Sequence, residues 1–284
     1  MKPALLAIAI MASIFVAEAK KAKTVTIYHT NDSHSQIFPF SPNLSDTTKA
    51  GRGGFLRRAA FLDKARKETP GLLLFDSGDF SQGSPYYTMY LGDVEIGLMN
   101  LMHYDAVTIG NHEFDFGLDN MARLFSKATF PVVCSNYDFS GTPCEGIVKR
   151  YTIIKRNGLR IGVFGLSPRL EGLVTGINYG GTKYLDPIPV AREMVETLRR
   201  KEKCDIVICL SHLGWKTGDP TASDEHLIRE TSGIDLILGG HTHTMLPVPA
   251  YTENAEGRKV PVCQSGKASC SIPRFDIVLR QTER

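Results

Sequence analysis

Gly110-Asn111-His112-Glu113-Phe114-Asp115 sets a row of polar side chains directly behind Asp105-Ala106-Val107-Thr108-Ile109. The apolar, β-branched centre of that preceding run predicts a short buried strand. A strand running straight into Gly-Asn-His-Glu carries its polar groups on a tight turn at a sheet edge, where binding and catalytic residues concentrate. Asn111 can offer a carbonyl oxygen to a metal, His112 can ligate a metal or move a proton, and Asp115 can hold His112 in one tautomer. By itself the stretch also describes a capped loop, since Asn and Asp are common helix caps and turn formers.

Other apolar runs end the same way. Val25 to Thr30 reads as a strand and continues into Asn31-Asp32-Ser33-His34. In extended chain, residues two apart project to the same side, so Asp32 and His34 are expected to reach one ion together. Leu72 to Phe75 is followed by Asp76-Ser77-Gly78-Asp79, Ile206 to Leu210 by Ser211-His212, and Ile234 to Leu238 by Gly239-Gly240-His241-Thr242-His243. In open α/β sheets such strand ends converge on one crevice. A lone Asp or His after a strand is usually a turn or surface residue, but that reading strains when five runs repeat the pattern. Of the eight histidines, His34, His112, His212, His241 and His243 lie in these ends. His29, His103 and His226 do not, and read as structural or solvent-facing.

Between these runs the chain alternates. Phe55 to Lys67 has apolar residues at helical spacing, Val94 to Met102 and Asp119 to Ser126 read as helices, and Val132 to Cys134 as a strand. Tyr151 to Arg156 and Leu159 to Leu166 flank Asn157-Gly158, a strong hairpin signal. Pro189 to Lys201 predicts an amphipathic helix with Pro near its first turn. Val260 to Gln264 and Phe275 to Leu279 close the chain as strands. This order favours an α/β layered fold with mixed sheets.

The N-terminus carries Lys2, an apolar run from Ala4 to Val16 and then Ala17-Glu18-Ala19. These are the parts of a secretory signal peptide, with cleavage expected after Ala19 and a periplasmic or secreted destination. The run is short beside the ~20 residues of a membrane span, and no span is expected. Residues 20–284 are then expected to form one compact domain. The net charge of +3 gives no argument for a nucleic acid polymer or a membrane surface as partner, and 42% hydrophobic content is ordinary for a globular chain. Export permits disulfides among the six cysteines, with Cys134/Cys144 and Cys263/Cys270 the local pairs to test; Cys209 reads as buried, and none has zinc-finger spacing.

Asp32-x-His34, Gly78-Asp79, Gly110-Asn111-His112-Glu113, Ser211-His212 and Gly240-His241-x-His243 occur in the order and spacing of calcineurin-like metallophosphoesterases. The fuller strings His29-Thr-Asn-Asp-Ser-His34, Gly110-Asn-His-Glu-Phe-Asp115 and Gly240-His-Thr-His243 resemble the secreted 5′-nucleotidase branch, and the resemblance runs from about Thr24 to Leu279. It implies a four-layer fold, two mixed β-sheets packed together and flanked by helices, with two divalent metal ions at the strand ends. One metal would be held by Asp32, His34, Asp79 and His243. The other would be held by Asp79, Asn111, His212 and His241, with Asp79 bridging. Such donors suit zinc, manganese or iron. Two cations about 3.5–4 Å apart activate a bound water and clamp phosphate oxygens for in-line attack. His112 would stabilise charge or protonate the leaving oxygen, and Asp115 would keep it aimed.

The longer secreted nucleotidases resemble this chain only in their first half. Their second domain stacks the nucleobase and supplies basic residues to the substrate. Phe38, Phe40, Phe80, Tyr86, Tyr87 and Tyr179 are aromatic residues that either substitute for it or pack. A separate nucleotide-binding polypeptide that docks on this chain is a further expectation. Three readings follow: a phosphoesterase acting on 5′-nucleotides or similar phosphomonoesters, a related hydrolase of cyclic nucleotides, nucleotide sugars or sulfur esters, and a metal-binding subunit that serves a partner. The His112-Asp115 pair argues against the last, because a scaffold has no need of a proton donor beside the metals.

Overall fold

A computed structural model describes residues 22–218 and 222–279. The expected signal peptide therefore lies outside the described residues. Strands β1 (Lys23–Thr30), β2 (Leu73–Asp76), β3 (Ala106–Thr108) and β4 (Val132–Val133) precede a short ribbon strand β5 (Tyr137–Asp138). The hairpin β6 (Tyr151–Arg156) and β7 (Leu159–Leu166) follows, then β8 (Lys183–Tyr184), β9 (Ile206–Ser211), β10 (Leu236–Gly239), β11 (Ala250–Glu253), β12 (Lys259–Cys263) and β13 (Arg274–Leu279). One sheet has the order β13-β1-β2-β3-β4, the other β11-β12-β10-β9-β7-β6, and β5 pairs with β8. β1, β2, β3 and β4 run parallel, as do β7, β9, β10 and β12.

The two sheets pack face to face. Val25, Ile27, Leu73 and Phe75 of the first meet Ile161, Val163, Ile206, Ile208 and Leu238 of the second in one buried cluster. The helices α1 (Phe55–Glu68), α2 (Pro85–Tyr90), α3 (Asp93–Leu101), α4 (Gly117–Phe125), α5 (Gly176–Tyr179), α6 (Pro187–Glu196) and α7 (Asp224–Glu230) occupy the outer layers. Phe55 and Leu62 of α1, Ile96 and Met99 of α3 and Met121 of α4 cover the outer face of the first sheet. Val190, Met194, Leu227 and Ile228 of α6 and α7 cover the second. The order is helix, sheet, sheet, helix, so the four-layer expectation holds. Strands covered on both faces have no solvent side to mark, which is why β9 reads as the unbroken run Ile206-Val-Ile-Cys-Leu210 rather than as an alternation.

Local chemistry explains where the elements turn and stop. Asn157 and Gly158 both have positive φ, 51° and 71°, as the tight hairpin turn requires. The helix expected over Pro189 to Lys201 starts two residues earlier, because the Asp186 carboxylate accepts from the Ile188 N–H and caps it. It ends at Glu196, and Thr197–Lys201 continues as a π-helical turn. The six cysteines are free thiols. Cys134 and Cys144 do not bond to each other: Cys134 lies 3.5 Å from Asn136 Oδ1 and from Ser167 Oγ, and Cys144 donates to the Leu118 carbonyl. Cys263 is buried between the sheets, whereas Cys270 is half-exposed in a surface loop. Among the described residues no helix is long and apolar enough to cross a membrane.

Candidate metal centre

Because β1, β2 and β3 are parallel, as are β9 and β10, their carboxyl ends deliver five loops to one edge of the double sheet. The loops do not keep strand geometry. Asp32, His34, Asp79, His241 and His243 have φ of 47°, 45°, 53°, 74° and 52°. Asp32 and His34 thus do not meet through strand pleating as expected: β1 stops at Thr30, and left-handed turns bring the two side chains together, with His34 Nε2 3.8 Å from Asp32 Oδ1. Two glycines make the loops fit. A Cβ on Gly78 would lie 2.5 Å from the Gly110 nitrogen, and one on Gly110 would collide with Asp79 Oδ1. The second and third loops thus touch backbone to backbone, which only glycine permits.

Three overlapping groups of donor atoms result, each with all atoms within 4.8 Å of one another: Asp32/His34/His243, His34/Asp79/His112 and Asp79/His212/His241. His243 Nε2 lies 3.3 Å from Asp32 Oδ1 and 2.8 Å from His34 Nε2. The Asp32 carboxylate accepts from the His241 backbone N–H at 3.0 Å. His212 is fully buried and donates from Nδ1 to the Ser77 carbonyl at 2.6 Å, which turns Nε2 toward the cluster. That Nε2 lies 3.0 Å from Asp79 Oδ2 without the alignment of a hydrogen bond. The Asn111 amide oxygen is likewise buried and unpartnered. Buried polar atoms left this way are the exception in folded proteins. Two orphaned donors beside two buried carboxylates fit a group that binds to lone pairs, so the donor set fits divalent metals.

The electrostatics point the same way. Burial works to lower the His212 pKa, yet the facing Asp79 charge dominates and pushes it up to about 10. Burial works to raise Asp79, and His212 with the other imidazoles holds it well below the carboxylate range. Burial takes His241 down to about 4, helped by the His212 charge. The cluster draws positive charge onto its one fully enclosed imidazole.

His112 sits at the rim. Its Nδ1 lies 3.1 Å from Asp115 Oδ2, its backbone N–H donates to Asp79 Oδ1 at 2.9 Å, and its ring centroid is 5.4 Å from that of His34. Burial opposes its protonation, but the Asp115 bond and the nearby carboxylates leave its pKa raised. Asp115 also lines an open groove of about 890 Å³ that includes Ser84, Thr88, Phe116 and Asn178. His241 lines a second cavity of about 410 Å³ with Arg169, Asp186 and His226. His29 is fully buried and bonded to Ser77 Oγ, so it is structural as expected.

Three supporting residues lie at strand ends but receive no role from the sequence alone. Glu113 is buried, and its carboxylate accepts from the backbone N–H groups of Asp79, Ser81 and Gly110 at 2.9, 3.2 and 2.6 Å. Asn31 donates to the Gly266 carbonyl and accepts from the Ser265 N–H at 2.8 Å each, tying the first loop to the last. Gln264 donates to the Gly240 carbonyl and accepts from the Thr244 N–H, which fixes the His241-Thr242-His243 turn. Gln264 was open to detection, since it too is a polar residue at the end of an apolar run. Of the aromatics, Phe80 and Tyr87 are packing residues, 0% and 3% exposed, whereas Phe38 and Tyr86 stand out at 53% and 37%.

Comparison with known proteins agrees with this geometry. The family model for calcineurin-like phosphoesterases matches residues 25–245. The 5′-nucleotidase of Homo sapiens is 30% identical over 284 aligned positions, covering 93% of this chain and 47% of that protein. Among solved structures, the 5′-nucleotidase precursor of Thermus thermophilus superposes with a TM-score of 0.80 at 30% identity, over 89% of this chain and 51% of that one. The NAD nucleotidase of Haemophilus influenzae superposes at 0.76 with 26% identity, over 91% and 48%. The chain spans about half the length of these relatives. With its two-sheet fold and its strand-end donor cluster, it belongs to the calcineurin-like phosphoesterase family.

Proposed function

We propose that this chain hydrolyses phosphomonoesters, 5′-nucleotides foremost, at a centre for two divalent metals drawn from zinc, manganese and iron. Asp32, His34, Asp79 and His243 would hold one metal, and Asp79, Asn111, His212 and His241 the other. The observation that carries the reading is the sharing of Asp79 by two donor groups, one with His34 and His112 and one with His212 and His241. When bound, the metals supply an activated water and a clamp for the phosphate oxygens. The protein's own part is positional and acidic. His212 stays aimed because the Ser77 carbonyl occupies its Nδ1. His112 is held through Nδ1 by Asp115, so Nε2 carries the proton that passes to the departing ester oxygen, and its raised pKa keeps that proton available near neutrality. The leaving group lies toward the groove beside Asp115, whose volume suits a nucleoside.

Export belongs to the same reading and rests on Lys2, Ala4 to Val16 and Ala17-Glu18-Ala19. The nucleoside contacts would come from a further stretch of the same protein or from a separate polypeptide. The test is hydrolysis of AMP, p-nitrophenyl phosphate and its bis ester by the metal-loaded chain and by His112→Ala. Rapid cleavage of AMP makes the chain sufficient for nucleotides. Cleavage of the p-nitrophenyl esters alone leaves substrate choice to another polypeptide, and no cleavage of any ester sinks the proposal.

A further inference from the structure

Behind the Asp32–His34 loop lies a third cavity, of about 390 Å³, lined by Arg52, Arg57, Arg58, Phe61, Ser269, Ser271 and others, with no acidic side chain among the described residues of its wall. Arg58 is 1% exposed. Its three hydrogen bonds go to neutral hydroxyls: Tyr104 at 2.6 Å, Ser33 at 2.5 Å and Ser269. Its Nε is buried and has no partner. The carboxylate whose charge reaches it, Asp76, is occupied by the Thr30 hydroxyl and the Gly78 N–H. A buried guanidinium bonded to no carboxylate is costly, because hydroxyls and the Phe55 ring face, 4.3 Å from its Cζ, replace its hydration only in part. Arg52 and Arg57 are exposed at the mouth, and Arg57 is bonded to the Gly51 carbonyl. Ser269 accepts from Arg58, which leaves its own hydroxyl proton free to donate inward.

We propose that this cavity is an anion site, separate from the metal centre, that takes a phosphate group. A tetrahedral oxyanion accepts several donors at once and suits guanidinium forks. The cavity exceeds one phosphate in volume, and Phe61 and Ile272 give it an apolar wall, so an organic phosphate fits as well as the inorganic ion. The site would communicate with the metal centre, because Arg58 bonds to Ser33 between Asp32 and His34, and the Ala268 N–H donates to the Asp32 carbonyl at 2.8 Å.

The test is calorimetric titration of the full chain with inorganic phosphate, metal-loaded and again after the metals and chelator are dialysed away. One bound phosphate per chain should survive metal removal. Arg52→Ala/Arg57→Ala should weaken it about a hundredfold, roughly tenfold per lost charged contact, with metal content and p-nitrophenyl phosphate hydrolysis unchanged. Arg52→Lys/Arg57→Lys should keep most of the affinity. Parallel titration with phenylphosphonate separates the sources: tighter binding assigns an organic phosphate, equal or weaker binding the inorganic ion. The proposal is overturned if the metal-free chain binds no phosphate, or if the double alanine variant binds as tightly as the parent. Failure of the metal-centre reading would appear separately, as absent hydrolysis in a chain that still binds phosphate.

Discussion

Replacing Glu113 with Gln tests how the metal-facing loops are held. The buried carboxylate takes three backbone N–H groups, two of them on Oε2. The amide of Glu113→Gln keeps the shape and can leave its oxygen with Asp79 and Gly110. Its NH₂ then faces the Ser81 N–H, which Oε1 accepts at 3.2 Å in the parent. Above pH 8, beyond the pKa of about 7 to which burial and the Asp79 charge push the Glu113 carboxyl, two charge-assisted bonds become neutral ones and one buried donor loses its partner. Weighing about 1 kcal/mol for each of the former and 1–3 for the latter gives a destabilisation of about 3–5 kcal/mol. Because the three N–H groups belong to the loops that carry Asp79 and Asn111, metal affinity should also fall by about 10–100-fold, as it does when groups that orient ligands are lost. Urea unfolding of the metal-free variant reads the first number, and competition with a metal indicator reads the second. A variant within about 0.5 kcal/mol of the parent, as surface changes usually are, with unchanged metal affinity, refutes the reasoning. A loss of stability with full metal affinity would make Glu113 a packing residue only.

Removing the proton donor should be milder for the fold and harsher for turnover: His112→Ala is expected to lower kcat by about 10²–10⁴ with the metals retained, as metal analysis would check. Asp115→Asn should move the alkaline limb of the pH–rate profile to lower pH, since activity needs His112 protonated and Asp115 raises its pKa. Burial lowers the His29 pKa to about 3, so the folded state resists its protonation. The stability tied to His29 is complete above pH 6.5 and drains as pH falls toward 3, by up to about 5 kcal/mol; His29→Gln should flatten that part of the stability–pH curve, and identical curves would contradict it. Stripping the metals should lower the melting temperature and expose the loop amides of residues 31–35 and 240–243 to hydrogen exchange, while amides of β1, β2 and β9 stay protected.

The fold was legible where strands are covered on both faces, because a run such as Leu72 to Phe75 or Ile206 to Leu210 has no other stable use in a chain this polar elsewhere. The hairpin was legible because Asn157-Gly158 alone can supply two positive φ values cheaply. Short pieces were not. The α2 helix, the β11 strand and the β5–β8 ribbon carry too few residues for a period to show, and α7 declares itself only through the Ser223 hydroxyl that caps it. The polar strand ends located the donor cluster, but its supports depend on neighbours distant in sequence. Asn31 meets Ser265 and Gly266, more than two hundred residues away. No local pattern encodes such a pairing.

The left-handed turns say what the rest of the molecule does for the site. Non-glycine residues in this region cost of order 1–3 kcal/mol each unless their surroundings impose it, with Asp and His among the more tolerant. Asp32, His34, Asp79, His241 and His243 all adopt it, so a free peptide of any one loop would not hold this shape. What imposes it is the frame. The Gly78 carbonyl accepts from the Asp32 N–H and the Asp79 carbonyl from the His34 N–H, at 2.9 and 3.0 Å, while Asp32 in turn accepts from the His241 N–H. Each loop is thus templated by the next, across the seam between the two sheets. The double sheet fixes where five loops start, the backbone bonds between loops fix how they bend, and the donor atoms converge as a consequence of both.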